Sequence, residues 1–197
     1  MSAQTSDLAC GWAPAHDDLY RAYHDEEWGV PEYNSRALWE KLQLDGMQAG
    51  LSWITILRKR ESIREEFDEF DPERIAVWDE ARIDKALKNP GIIRSPIKIK
   101  SCIGNAQAFL DAAERGQDFS DWLWHYVDGK PIIGAWDNYR DGPTQTAISE
   151  RLSKDLKKQG YKFCGPVIVY AFMQAVGMVN DHELSCPRHT ELQALAR

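Results

Sequence analysis

Two pairs of metal-ligand-type side chains stand at opposite ends of this chain, Cys10 with His24 near the start and His182 with Cys186 near the end. The second pair is spaced so that a helix or tight turn aims both side chains the same way. Two thiolates and two imidazoles make a complete tetrahedral set for zinc. If the four meet, a metal ties the two ends of the chain together with no open coordination position, and catalysis lies elsewhere. The other reading is of separate buried cysteines and core histidines, because the Cys10 to His24 spacing is wider than in zinc fingers. Spacing alone leaves both open.

Between these ends the punctuation is helical. Ser35 is placed to cap a helix running through Asp45, with Leu38 and Leu42 on one face and Gly46 as its stop. Asp71-Pro72-Glu73 reads as cap, first-turn proline and acidic first turn, and Ser95-Pro96 repeats the device before Ile97 to Arg115. Thr144 to Gln159 keeps a helical period with Ala147, Ile148, Leu152 and Leu156 inward, and Gly160 ends it. Pro166 to Val176 is apolar nearly all round, as a central buried helix would be. Residues 127–143, with three glycines and two prolines, read as a loop. No alternating strand pattern of convincing length appears. The expected class is all-α, one domain over 1–197 in two helical lobes.

Composition bounds the partners. A hydrophobic fraction of 43% over 197 residues suffices for a packed core. No apolar run is long enough to span a bilayer, and Met1 to Asp7 lack the basic and apolar regions of a secretion signal, so a cytoplasmic protein with no membrane partner is expected. Four scattered cysteines are too sparse for a disulfide framework, and Cys102 and Cys164 read as core residues. A net charge of −7 opposes indiscriminate nucleic-acid binding, but a local basic face remains open at Arg58 to Arg60, Arg94 to Lys100 and Lys154 to Lys162.

Eight tryptophans exceed what a core of this size needs. Trp12, Tyr20, Tyr23, Trp28, Tyr33, Trp39 and Trp53 crowd the first quarter, which suggests a pocket for a planar, cationic ring, with Trp39 assigned to the core. Lys162-Phe163-Cys164-Gly165-Pro166 joins two helices and would expose backbone N–H groups at a helix start beside Lys157, Lys158 and Lys162. That is a phosphate-binding geometry, although such a Gly-Pro is commonly only a turn.

Several longer blocks carry a resemblance. Cys10-Gly11-Trp12, Tyr20 to Pro31 (YRAYHDEEWGVP), Gln48 to Thr55 (QAGLSWIT), Gly91 to Arg94 (GIIR) with Lys98-Ile99 and Asn105-Ala106, and Phe163-Cys164-Gly165-Pro166 with Phe172 to Ala175 and Val179 to His182 look like the constitutive 3-methyladenine DNA glycosylase I family. The similarity runs in order from about Cys10 to Cys186. It implies a helix-hairpin-helix fold that flips a damaged adenine out of double-stranded DNA and hydrolyses its N-glycosidic bond. It also implies a structural zinc on Cys10, His24, His182 and Cys186. Tyr20, Tyr23, Trp28 and Trp53 match the family's aromatic pocket, with Trp12 close by, while Lys162, Gly165 and Pro166 match its DNA-gripping hairpin.

One match fails. The family usually has glutamate where this chain has Asp45, in Leu44-Asp45-Gly46-Met47-Gln48-Ala49-Gly50. The resemblance gives Asp45 and Tyr23 the catalytic roles, with the carboxylate recognising the base, but aspartate draws it back by about 1.5 Å. Asp45 and Met47 keep a second reading in play, a glycosylase-like DNA-binding protein that recognises another lesion or base with little excision. Asp181, just before a candidate metal ligand, reads as support for that ligand or as a helix cap. A monomer is expected.

Overall fold

The structure, a computed structural model, describes residues 9–195; the leading segment read above for a secretion signal lies outside them. Ten α-helices occur among the described residues. They are α1 (Asp18–Ala22), α2 (Ser35–Gln48), α3 (Trp53–Glu66), α4 (Pro72–Ala76), α5 (Glu80–Ala86), α6 (Pro96–Glu114), α7 (Phe119–Trp124), α8 (Ala147–Lys158), α9 (Pro166–Ala175) and α10 (Pro187–Gln193). None is long and apolar enough to cross a membrane.

Local chemistry explains most boundaries. The Asp71 carboxylate accepts from the Glu73 and Arg74 N–H groups with Pro72 at the first position of α4; Pro96 likewise opens α6, but there the Ser95 side chain makes no capping bond. Gly160 takes φ +99° directly after α8, a conformation open to glycine without strain. Two expectations need correction. Asn34, not Ser35, caps α2, its side chain accepting from the N–H groups of Arg36 and Ala37. Gly46 does not stop that helix, which runs on to Gln48. Its missing side chain serves packing instead: a Cβ there would lie 3.2 Å from Phe163 Cβ, so the glycine lets the α8–α9 connection rest on α2.

The helix read as Thr144 to Gln159 begins later, at Ala147, because Thr146 and Ser149 form a reciprocal capping box; Ala147 itself is exposed. The chain is also not wholly helical. Within the segment read as loop, β1 (Ile132–Ile133) pairs in parallel with β2 (Val179–Asn180), and a further bridge joins Trp136 to Glu183. Two-residue strands leave no alternation for a sequence pattern to display.

One continuous apolar cluster holds the helices together, with Trp39, Phe67, Phe70 and Phe172 among its fully buried members. The Trp39 indole N–H donates to the Asn105 carbonyl. α2 packs against α3, α7 and α9, and α8 against α9. This places α2 and α9 side by side beneath the amino-terminal segment. Pro166 to Ala175 is not buried on every side, since Val167 is exposed at its amino-terminal end.

Candidate active site and metal centre

The residues after α1 form a single π-helical turn, Tyr23–Glu27, closed by a bond from the Trp28 N–H to the Tyr23 carbonyl of 2.9 Å. Such wide turns re-aim neighbouring side chains. Here Tyr23 lines a cavity while the adjacent His24 joins Cys10, His182 and Cys186.

Those four side chains come from both ends of the chain, are all buried, and have ligand atoms within 4.8 Å of one another. Cys10 Sγ lies 3.4 Å from His182 Nδ1, and Cys186 Sγ lies 3.6 Å from His182 Nδ1 and 3.7 Å from His24 Nε2. Sulfur at ~2.3 Å and nitrogen at ~2.0 Å from a tetrahedral zinc would be separated by about 3.5 Å. The donor set therefore fits that ion. Outer partners orient both rings: His24 Nδ1 is 2.6 Å from the Asp25 carboxylate, which Arg21 also holds, and His182 Nε2 is 3.1 Å from the Trp28 carbonyl.

Directly above this cluster lies an aromatic layer. Trp28 meets His182 edge to face at 4.6 Å, Trp12 packs on His24 at 5.1 Å and on Trp28 at 4.8 Å, and Tyr20 packs on Trp12 at 5.5 Å. Tyr23 and Trp53 lean together at 5.2 Å. Trp12, Tyr20, Tyr23, Trp28, Asp45 and Trp53 all line one cavity of about 420 Å³. Tyr33 is not there; it stacks on Trp124 at 4.4 Å.

Asp45 projects from α2 into this wall and is 3% exposed. Its Oδ1 accepts from Lys41 Nζ at 2.5 Å, whereas its Oδ2 is buried without a hydrogen-bond partner among the described residues. The indole N–H groups of Trp12 and Trp53 are buried and unpaired as well. Buried polar atoms are nearly always satisfied, so three orphans around one cavity mark it as built for a planar ligand with polar edges. Burial pushes the Asp45 carboxyl above its usual range while Lys41 opposes the shift, and burial lowers Lys41 while Asp45 opposes that. Burial likewise holds the Tyr23 phenol protonated. Met47, the other departure from the family pattern, is a buried core residue.

The loop and the far helix supply the remaining walls, with Trp136, Tyr139 and Arg140 on one side and Gln174 on the other. Asp181 caps no helix. Its oxygens accept from Trp136 Nε1 (2.8 Å), Tyr170 OH (2.6 Å) and Gln174 Nε2 (2.8 Å), so it binds the loop to α9. Sequence reasoning missed this loop wall, and a tryptophan inside a glycine- and proline-rich segment was the available signal.

Lys162, Gly165 and Pro166 lie outside the cavity, on the connection between α8 and α9. Asn105 grips that connection, accepting from the Lys162 N–H at 2.8 Å and donating to the Lys162 carbonyl at 3.1 Å. Among the described residues no side chain caps the start of α9. Lys154, Lys157 and Lys158 flank Pro166 along an open groove.

The chain is similar to known proteins over most of its length. A family model described as methyladenine glycosylase matches residues 12–189. The chain is 48% identical over 177 residues to DNA-3-methyladenine glycosylase 1 of Escherichia coli, which covers 90% of this chain and 94% of that one. A crystal structure of 3-methyladenine DNA glycosylase I superposes with a TM-score of 0.90 at 49% identity, covering 91% of this chain and 98% of the other. A variant of such an enzyme in complex with 3-methyladenine superposes with a TM-score of 0.87 at 38% identity, covering 91% and 96%.

Proposed function

The chain belongs to the methyladenine glycosylase family, and from that premise we propose that it excises 3-methyladenine from alkylated DNA in base excision repair. The observation that carries this reading is the aromatic cavity with one buried carboxylate oxygen and two indole N–H groups left unpaired. Methylation at N3 makes the base cationic while it is attached to the sugar, so the leaving group is already activated. When the C1′–N bond breaks, its electron pair returns to the ring and neutralises it. Water supplies a hydroxyl group to the sugar carbon and releases one proton.

The protein's task is then positioning and charge rather than acid catalysis. Tyr20, Tyr23, Trp12, Trp28 and Trp53 present faces and edges to a flipped cationic ring, and the Asp45 carboxylate accepts a hydrogen bond from its edge. Tyr23, kept neutral by burial, packs on Trp53 beside that ring. Asp181 already accepts three hydrogen bonds, which argue against its serving as the base that activates water. Direct measurement of free 3-methyladenine released from a methylated duplex tests the assignment.

Zinc is the cofactor this reading includes, on Cys10, His24, His182 and Cys186, and its role is structural. Four protein ligands leave no position for substrate, and the bound ion would fix the rings on which Trp12 and Trp28 pack. The connection from α8 to α9 is read as the hairpin of a helix-hairpin-helix element gripping a DNA phosphate through the first N–H groups of α9, with Lys162 beside it. The working unit is read as a monomer and placed in the cytoplasm, the second of which agrees with four cysteines that form no disulfide.

Replacing Lys162 with glutamate should weaken binding to any duplex sequence and reduce the slope of log affinity against log salt by about 1. Titration of a labelled duplex at several salt concentrations checks this. An unchanged slope would put the phosphate contact elsewhere.

A further inference from the structure

Lys41 lies at the boundary of the site and is absent from the sequence reading. It sits one helical turn before Asp45 on α2, with Nζ 2.5 Å from Asp45 Oδ1 and 4.1 Å from the centre of the Trp53 ring. The side chain is 16% exposed, far from the solvated position usual for a lysine. The same residue helps line both the aromatic cavity and a neighbouring cleft that holds Glu27, Glu40, Arg60 and Arg64.

The carboxylates Glu27, Glu40 and Asp181, which flank this point, each have their own partners. Glu27 on the π-helical turn is held by Arg60 of α3 at 2.6 and 3.0 Å, Glu40 of α2 pairs with Arg64 of α3, and Asp181 across the cavity accepts three bonds. The other titratable or charged groups facing the pair are Tyr20 and Tyr23, which burial keeps protonated, and Arg140 on the cavity rim. Asp45 therefore depends on Lys41 for its compensating charge.

We propose that Lys41 is a positioning residue: it keeps the buried Asp45 carboxylate ionised and fixes one oxygen, so that the other is presented to the base, while its ammonium braces the Trp53 face. The inference rests on the glycosylase reading of the cavity. A carboxylate at this depth without a counter-ion would take up a proton at higher pH, and a protonated Asp45 would lose its charge attraction for a cationic ring. The lysine also gives the shorter aspartate a defined aim.

Lys41→Met keeps length and an apolar contact to Trp53 while removing the charge. The acidic limb of the kcat/KM profile for 3-methyladenine release should move to higher pH by at least about one unit. Lys41→Arg keeps the charge and should displace the limb less. A carbon-13 NMR titration of the Asp45 carboxyl should show the same upward movement in the methionine variant. In the parent, the Lys41 ammonium nitrogen should sense the Asp45 midpoint, a measurement that needs neither a variant nor a substrate. An acidic limb and carboxyl midpoint unchanged in Lys41→Met, equal displacement in both variants, or a Lys41 signal blind to Asp45 titration would overturn the proposal. Because the titration uses no DNA, failure of the glycosylase reading would appear separately, as absent base release from the parent.

Discussion

Asp45→Asn is expected to slow single-turnover release of 3-methyladenine roughly tenfold to a hundredfold, the worth of one hydrogen bond to a charged group, on the order of 1.5–3 kcal/mol. Asparagine keeps the size of the side chain at this buried position and removes the charge that a cationic ring would feel. The unpaired Asp45 Oδ2 is the acceptor in question. Asp45→Glu restores the residue usual in the family but adds about 1.5 Å of chain. It would do so where the parent carboxylate already contacts Lys41 Nζ at 2.5 Å, so this variant should be slower than the parent and faster than Asp45→Asn. Rapid-quench measurement at saturating enzyme separates the three, and equal rates would remove Asp45 from the mechanism.

Cys186→Ser should cost at least about 4 kcal/mol of stability, the range reached when a metal centre is lost. For a chain of this size that corresponds to a fall in melting temperature of roughly 8–16 °C. The effect is large because the four candidate ligands join residues 10 and 24 to residues 182 and 186, and no disulfide shares the work. Metal analysis of the parent should give one zinc per chain. A chelator should destabilise the parent and leave the variant unmoved. A melting temperature equal to that of the parent would return these residues to the status of ordinary buried cysteines and histidines.

The sequence shows helix boundaries where a side chain acts on its own backbone. Asp71-Pro72, Pro96 and the glycine at φ +99° after α8 are such places. It misleads where the reason for a residue lies in another element: Gly46 looks like a stop but makes room for Phe163. The β1–β2 pair is invisible because two residues cannot alternate. In the site, the four candidate ligands are readable by type, yet only folding decides that they meet. Lys41 and Asp45 are spaced like an ordinary surface ion pair, and nothing local announces that Asp45 is buried and that Lys41 lies over the Trp53 ring. Trp136, Tyr139 and Arg140 reach the cavity through a loop whose course is fixed by distant partners, Glu183 accepting from the Tyr139 N–H and Asp181 from Trp136.

The central claim is that this cavity releases a base rather than only holding one. The decisive measurement is chromatographic detection of free 3-methyladenine after incubating the purified parent with a duplex carrying that lesion at one position. Release of the methylated base, greatly slowed in Asp45→Asn and absent from an unmodified duplex, is the predicted result. Tight, lesion-dependent binding with no free base from the parent would contradict the account and make the chain a lesion-binding protein.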